Sequence, residues 1–172
     1  MFLSGYGSVL WDGTWMTIKL ALLSLLLSVI IGLIGAVCKL SRIKMVRYVA
    51  TVYTTLIRSV PDLVIMLLLF YSLQLGLNSI TDSLQMDQID IDPFAAGVIT
   101  LAFIYGAYFT ETFRGAFQSV PKGQIEAAYA YGMTPFQVFR RVLFPQMMRF
   151  ALPGIGNNWQ VLIKATALVS LI

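Results

Sequence analysis

Apolar residues fall along this chain in four long blocks, at about 15–37, 60–77, 94–113 and 150–172. Each approaches the roughly 20 residues that a helix needs to cross a bilayer. The pattern therefore predicts an all-α, polytopic membrane helix bundle. Gly32 and Ala36 in the first block form a small-xxx-small pair suited to close helix packing. The helix leading into the second block from Tyr48 is expected to break at Ser59-Val60-Pro61, with Ser59 and Asp62 in capping-box spacing. The fourth block runs to Ile172 with no turn, charge or cap to close it, so the chain is expected to be truncated.

The segment 120–146, between the third and fourth blocks, has a different grammar. Gln124–Tyr131 favours helix, and Gly132 is a left-handed stop just past its end. Thr134 then caps a second helix, with Pro135 at its first position and Gln137 three residues after the cap. Met133 and Val138 are placed for a hydrophobic staple, and Pro145 ends the second helix or kinks it into the next block. Ala127 and Ala128 keep one face flat, while Tyr131, Phe136 and Phe139 offer apolar knobs. Such a unit is shaped to dock in a groove on a cytoplasmic partner. It could also rest on lipid headgroups, held by Arg140 and Arg141.

Composition agrees with a membrane protein. Of 172 residues, 58% are hydrophobic and 12% charged, with a mean hydropathy of +0.80. A soluble domain has about a quarter of its residues charged. The lone Cys38 excludes an intrachain disulfide, and with no histidine there is no Cys/His metal cluster and no His-based acid–base catalysis. No basic region precedes the first block beyond Lys19, and Val37 stands where a lipoprotein cleavage site needs a small residue, so that block is expected to be an uncleaved helix.

The loop charges set the orientation. Lys39, Arg42, Lys44 and Arg47 separate the first two blocks, and Asp82, Asp87, Asp90 and Asp92 the second and third. Arg114, Lys122, Arg140, Arg141 and Arg149 accompany Glu126 between the third and fourth. Basic loops stay in the cytoplasm, which places the N-terminus outside.

Ionisable residues within membrane blocks should face the bundle interior or a cavity. Arg58 and Asp62 flank the expected helix break, where a free helix N-terminus could receive a substrate carboxylate. Otherwise Asp62 only caps the helix and Arg58 snorkels to the surface. Tyr105, Tyr108 and Thr112 share one face of the third block, with Glu111 at its border and Arg114 as its possible i+3 partner. Asn157, Gln160 and Lys164 form a polar stripe in the fourth block, just after Pro153, Gly154 and Gly156, which are expected to loosen the helix. A structural lysine paired with a neighbouring carboxylate is the alternative for Lys164. A zwitterionic substrate needs both signs: Lys164 or Arg58 for a carboxylate, Glu111 or Asp62 for an amino or guanidino group.

Glu126-Ala127-Ala128, then Gly132, then Leu143-Phe144-Pro145 resembles the EAA loop of ABC importer permeases. The stretches 55–63, 88–93, 103–117, 120–128 and 151–171 extend a resemblance to the polar amino acid permeases over nearly the whole chain. The resemblance implies a type I ABC importer permease domain over 1–172 that stops before a fifth span, placed in a bacterial inner membrane. It implies that 120–146 is a coupling helix, with Glu126, Ala127, Ala128, Gly132 and Pro145 engaging the ATPase. It also implies two copies of an ATPase subunit, a second homologous permease subunit or a second copy of this chain, and a periplasmic binding protein. No GxxxxGK[ST] motif occurs, so ATP and Mg are expected to be handled by the separate ATPase and no cofactor by this non-catalytic chain. The resemblance favours cationic amino acids (histidine, lysine, arginine, ornithine), while the visible charges equally admit glutamine. An ATP-independent channel or transporter would give 125–146 no role. A non-transporting scaffold would tolerate replacement of Asn157, Gln160 and Lys164.

Overall fold

The computed structural model describes residues 6–83, 87 and 91–171. Asp90 and Ile172 lie outside the described residues. The described chain is helical: α1 (Gly7–Leu40), α2 (Lys44–Ser59), α3 (Asp62–Ser83), α4 (Pro93–Ser119), α5 (Lys122–Ala130) and α6 (Pro135–Val138). A π-helical turn (Phe139–Leu143) then leads into α7 (Phe144–Ala165), which passes into a 3-10 segment (Thr166–Leu171).

The helices overrun the blocks, and at the start of α4 a cap sets the end. Asp92 accepts the Ala95 N–H at 2.9 Å, and Pro93 occupies the first turn of α4. Among the described residues, α1, α3 and α4 are long and apolar enough to cross a membrane. The fourth block forms a helix too, but it does not meet that standard; Pro153, Gly154, Gly156, Asn157, Asn158, Gln160 and Lys164 dilute its apolar residues.

The helix α4 is the centre of the bundle. Its apolar stretch is 67% buried, against 33% for α1 and 11% for α3. On α1 the buried residues Ala21, Ser24, Ser28, Gly32 and Ala36 recur every three or four positions, extending the expected small-residue pair into a seam along the helix. Along this seam Ser24 and Ser28 approach the carbonyls of Val98 and Ala102, both at 3.5 Å. A Cβ on Gly32 would collide with Phe109. Rising numbers meet rising numbers, so α1 and α4 run in the same direction.

Both α3 and α7 run against α4. Asp62 meets Tyr105 and Tyr108, while Gln74 Oε1 accepts the Ile91 N–H at 3.0 Å. Asn158 Nδ2 donates to Thr112 Oγ1 at 3.0 Å, and Gly97 faces Val169. The expected loosening at Pro153 does not occur, and α7 is continuous through it. Pro153 is exposed, which leaves its ring outside the packing. Gly154 serves contact rather than flexibility: a Cβ there would lie 2.6 Å from Thr112 Cγ2.

Candidate substrate path and coupling unit

The chain does break between α2 and α3, at Val60-Pro61, but not with the expected capping chemistry. Ser59 Oγ donates back to the Thr55 carbonyl at 2.5 Å instead of capping α3. Pro61 supplies the start, its carbonyl accepting the N–H groups of Val64 and Ile65 at 3.0 and 3.2 Å. Asp62 in the first turn is thereby left for a tertiary role. Its two carboxylate oxygens accept the hydroxyls of Tyr105 (3.1 Å) and Tyr108 (3.2 Å) from one face of α4. The two phenol rings stack with centroids 5.6 Å apart, and the Arg58 guanidinium lies 5.4 Å from the Tyr108 ring centroid. Tyr105 is 2% exposed, Asp62 and Tyr108 half-buried, and Arg58 exposed. The break thus brings a carboxylate, two phenols and a guanidinium together. A carboxylate has about four acceptor sites, so Asp62 retains capacity for an ammonium or guanidinium group.

Glu111 lies apart from this group. Its Oε1 pairs with Lys39 Nζ from α1, and its Oε2 accepts Arg114 Nε at 2.9 Å. Lys39 also donates to Thr54 Oγ1 at 2.8 Å, so one lysine ties α1, α2 and α4 together. The Arg114 pair is the one that i+3 spacing anticipates. Lys39 was missed; an unpaired lysine near the end of an apolar helix was the signal that could have found it. Glu111 is therefore occupied as a structural ion, bridged by two cations.

Asn157, Gln160 and Lys164 do share a face of α7, and all three are exposed. Lys164 makes no ion pair with a described residue. The buried amide is the neighbouring Asn158, held by Thr112 one turn along α4 from Tyr108. Asn158 was missed as well; its i+4 spacing from Gly154 was the signal for the packed face. The expected path residues thus form three groups, and among the described residues the side-chain partners of Asp62 come from α4 and not from the stripe on α7.

The segment 120–146 folds as its turn residues dictate. Gly132 has φ +76°, and two bonds close the end of α5: Gly132 N–H to Tyr129 O at 2.9 Å and Met133 N–H to Ala128 O at 3.2 Å. These are the two bonds of a Schellman ending. The capping box is reciprocal: Thr134 N–H donates to Gln137 Oε1 (2.9 Å) and Gln137 N–H to Thr134 Oγ1 (3.4 Å). Pro145 does not end the helix. It sits in the first turn of α7, and the wide π turn just before it accommodates its missing N–H and its ring. Beyond Gly132 the chain therefore forms one helical arm from Pro135 to Ala165 rather than a second short helix.

The surface of this unit is apolar and open: Tyr131 is 87% exposed and Phe136 69%, with Phe139 and Tyr129 also exposed. Glu126 and Ala127 are exposed, and Glu126 has no ion pair with a described residue. Ala128 is buried, so Ala127 alone keeps that face flat while Ala128 packs inward.

Residues 28–172 match the family described as binding-protein-dependent transport system inner membrane component. The histidine/lysine/arginine/ornithine transport system permease protein HisQ of Salmonella typhimurium is 64% identical over 170 residues, covering 99% of this chain and 75% of that protein. The nopaline transport system permease protein NocQ of Agrobacterium fabrum is 43% identical over 171 residues, covering 98% of this chain and 72% of that protein. A crystal structure described as an amino acid ABC transporter with histidines superposes with a TM-score of 0.79 at 35% identity, covering 98% of this chain and 74% of that one. The chain thus spans about three quarters of the length of these proteins.

Proposed function

Because the chain belongs to the family of binding-protein-dependent transport system inner membrane components, we propose that it lines the path of an ATP-driven importer for cationic amino acids and is driven through residues 120–146. Permeases of this family are non-catalytic membrane subunits that work with an ATPase and a binding protein. The observation that carries the proposal is mechanical. An exposed helical unit, locked by a Schellman ending and a capping box, continues without interruption into α7, which packs on the central helix α4. A displacement applied at Phe136 or Phe139 is transmitted along one helix to the bundle. Glu126, Ala127, Gly132 and Pro145 serve that unit as contact or geometry, and Ala128 as its internal packing.

The relatives' names support the substrate class, since histidine, lysine, arginine, ornithine and nopaline carry or can carry a basic nitrogen. Asp62, with Tyr105 and Tyr108 on its oxygens, suits such a group, and Arg58 suits an α-carboxylate. Lys164, Gln160 and Asn157 present a second polar surface to whatever faces α7. In the assembly we place two ATPase copies beneath this chain and a homologous permease subunit, or a second copy, beside it. The basic loops face the ATPase and the N-terminus is outside.

The test is uptake by the complete complex in proteoliposomes, with internal ATP and loaded binding protein. Asp62→Asn should keep binding-protein-stimulated ATP hydrolysis and lower arginine and histidine uptake at least tenfold, about 1.4 kcal/mol. Parent-like uptake would move the substrate away from Asp62. Equal uptake of glutamine and arginine by the parent would remove the cationic assignment.

A further inference from the structure

A groove of about 600 Å³ lies between α1 and α2, within the size range of small-molecule sites. Ile34 and Cys38 from α1, Met45, Val49 and Tyr53 from α2, and Phe103 from α4 line it. Its base is fixed rather than fluid, because Tyr53 donates its hydroxyl to the Phe103 carbonyl at 2.5 Å and their rings meet 4.9 Å apart. No described side chain of the bundle fills the groove, although one of its walls belongs to the central helix.

Polarity changes abruptly at one end. A recess lined by Lys44, Arg47, Tyr48 and Thr51 adjoins the groove, with Met45 common to both. Lys44 and Arg47 are exposed and pair with no described carboxylate, and no acid lies between Leu40 and Val60. The carboxylate that the fold brings to α1 and α2, Glu111, is already bridged by Lys39 and Arg114. An apolar slot that ends on two unneutralised cations at the edge of a membrane helix has a specific complement: a hydrocarbon chain ending on an anion.

We infer that the α1–α2 groove holds one acyl chain of an anionic phospholipid, with its phosphate on Lys44 and Arg47. A neutral lipid fills the slot equally well but leaves both cations without a counter-charge. A helix of a partner subunit would leave them in the same state unless it carried an acid at that depth. A juxtamembrane basic residue favours an anionic lipid surface by about fivefold in binding, so two of them acting on one headgroup select strongly for charge.

The complete complex is placed in nanodiscs of equal parts phosphatidylglycerol and phosphatidylcholine, then released into detergent, and retained lipid is measured by native mass spectrometry. Phosphatidylglycerol should be retained over phosphatidylcholine. Lys44→Gln and Arg47→Gln should each lower that preference about fivefold. Val49→Trp fills the groove from an exposed position and should abolish retention with both charges intact. Arg149→Gln, a basic side chain outside the groove, should change nothing. The inference is overturned if the parent shows no preference for phosphatidylglycerol. It is equally overturned if Val49→Trp retains the lipid, or if a photoreactive crosslinker on Cys38 captures another subunit instead of lipid.

Discussion

Replacing Gly132 separates two reasons for a glycine at the tip of the proposed coupling unit. Its φ of +76° lies in the left-handed region, and a Cβ built there meets nothing within 4 Å. Any cost within this chain is therefore conformational rather than steric. That region costs an L-residue about 1–2 kcal/mol, and a β-branched side chain more still. The alternative is to rotate out of it, which breaks the bonds from Gly132 N–H to Tyr129 O and from Met133 N–H to Ala128 O. At about 1 kcal/mol net for each bond, escape costs about as much as staying. Gly132→Val should therefore populate a tilted unit while the spans remain intact. Asparagine tolerates the left-handed conformation, so Gly132→Asn should remain close to the parent. We expect ATPase affinity, and the stimulation of hydrolysis by loaded binding protein, to fall in the order Gly, Asn, Ala, Val, with at least a tenfold loss at Val, or about 1.4 kcal/mol. The assay is ATP hydrolysis by the purified complex in lipid, with and without loaded binding protein. Parent-like stimulation in Gly132→Val would refute the coupling role. A fall in Asn as deep as in Val would show that the partner requires a bare backbone there, not a left-handed turn.

Lys164→Met keeps length and removes a charge that is exposed and unpaired among the described residues; assembly should be normal and uptake at least tenfold lower, about 1.4 kcal/mol, and parent kinetics would take the residue out of the path. Glu111→Gln leaves Lys39 without its carboxylate where the side chains are only 11% and 17% exposed. Thermal unfolding of the complex should report a loss on the order of 3 kcal/mol, the low end of the range for a broken buried pair. Adding Lys39→Met should restore most of it, and an unchanged midpoint in Glu111→Gln would deny the cluster a structural role. For orientation, Asp87→Cys but not Gly123→Cys, each in a Cys38→Ala background, should react with an impermeant thiol reagent on intact cells; the reverse pattern would invert the topology.

Local geometry was the part most legible in the sequence. Gly132, Thr134, Pro135 and Gln137 carry their backbone geometry in their own chemistry, so the Schellman ending and the capping box could be read within a few residues. The break before Asp62 was legible for the same reason, through Pro61, although Ser59 spends its hydroxyl on Thr55. The α1 seam was half visible: Gly32 and Ala36 stood out as a small-residue pair, whereas Ser24 and Ser28 join it only through their contact with α4. The rest depends on which helix lies beside which. Lys39 and Glu111 are 72 residues apart, and no periodicity predicts their contact. Asn157 and Asn158 are chemically identical, and only the position of Thr112 on α4 decides which of them is buried. Pro153 signals a weakened helix by its chemistry, yet a proline whose ring points away from the packed face need not interrupt a helix supported by its neighbours.

The serine seam on α1 has a consequence for the order in which the protein is made. Ser24 and Ser28 reach toward Val98 and Ala102, residues 74 positions further along the chain. When α1 leaves the ribosome its eventual companion has not been synthesised. A bare hydroxyl in hydrocarbon then costs several kcal/mol unless something nearby accepts its proton. Ser28 meets that need alone, donating to the Ser24 carbonyl within its own helix at 2.6 Å. The Ser28 hydroxyl can thus enter the bilayer already satisfied, whereas the acceptor that the fold gives Ser24 comes with α4. At the far end of α1 the carboxylate that pairs with Lys39 likewise arrives only with α4. Insertion and assembly are separate acts in this chain, and the lysine marks the boundary between them.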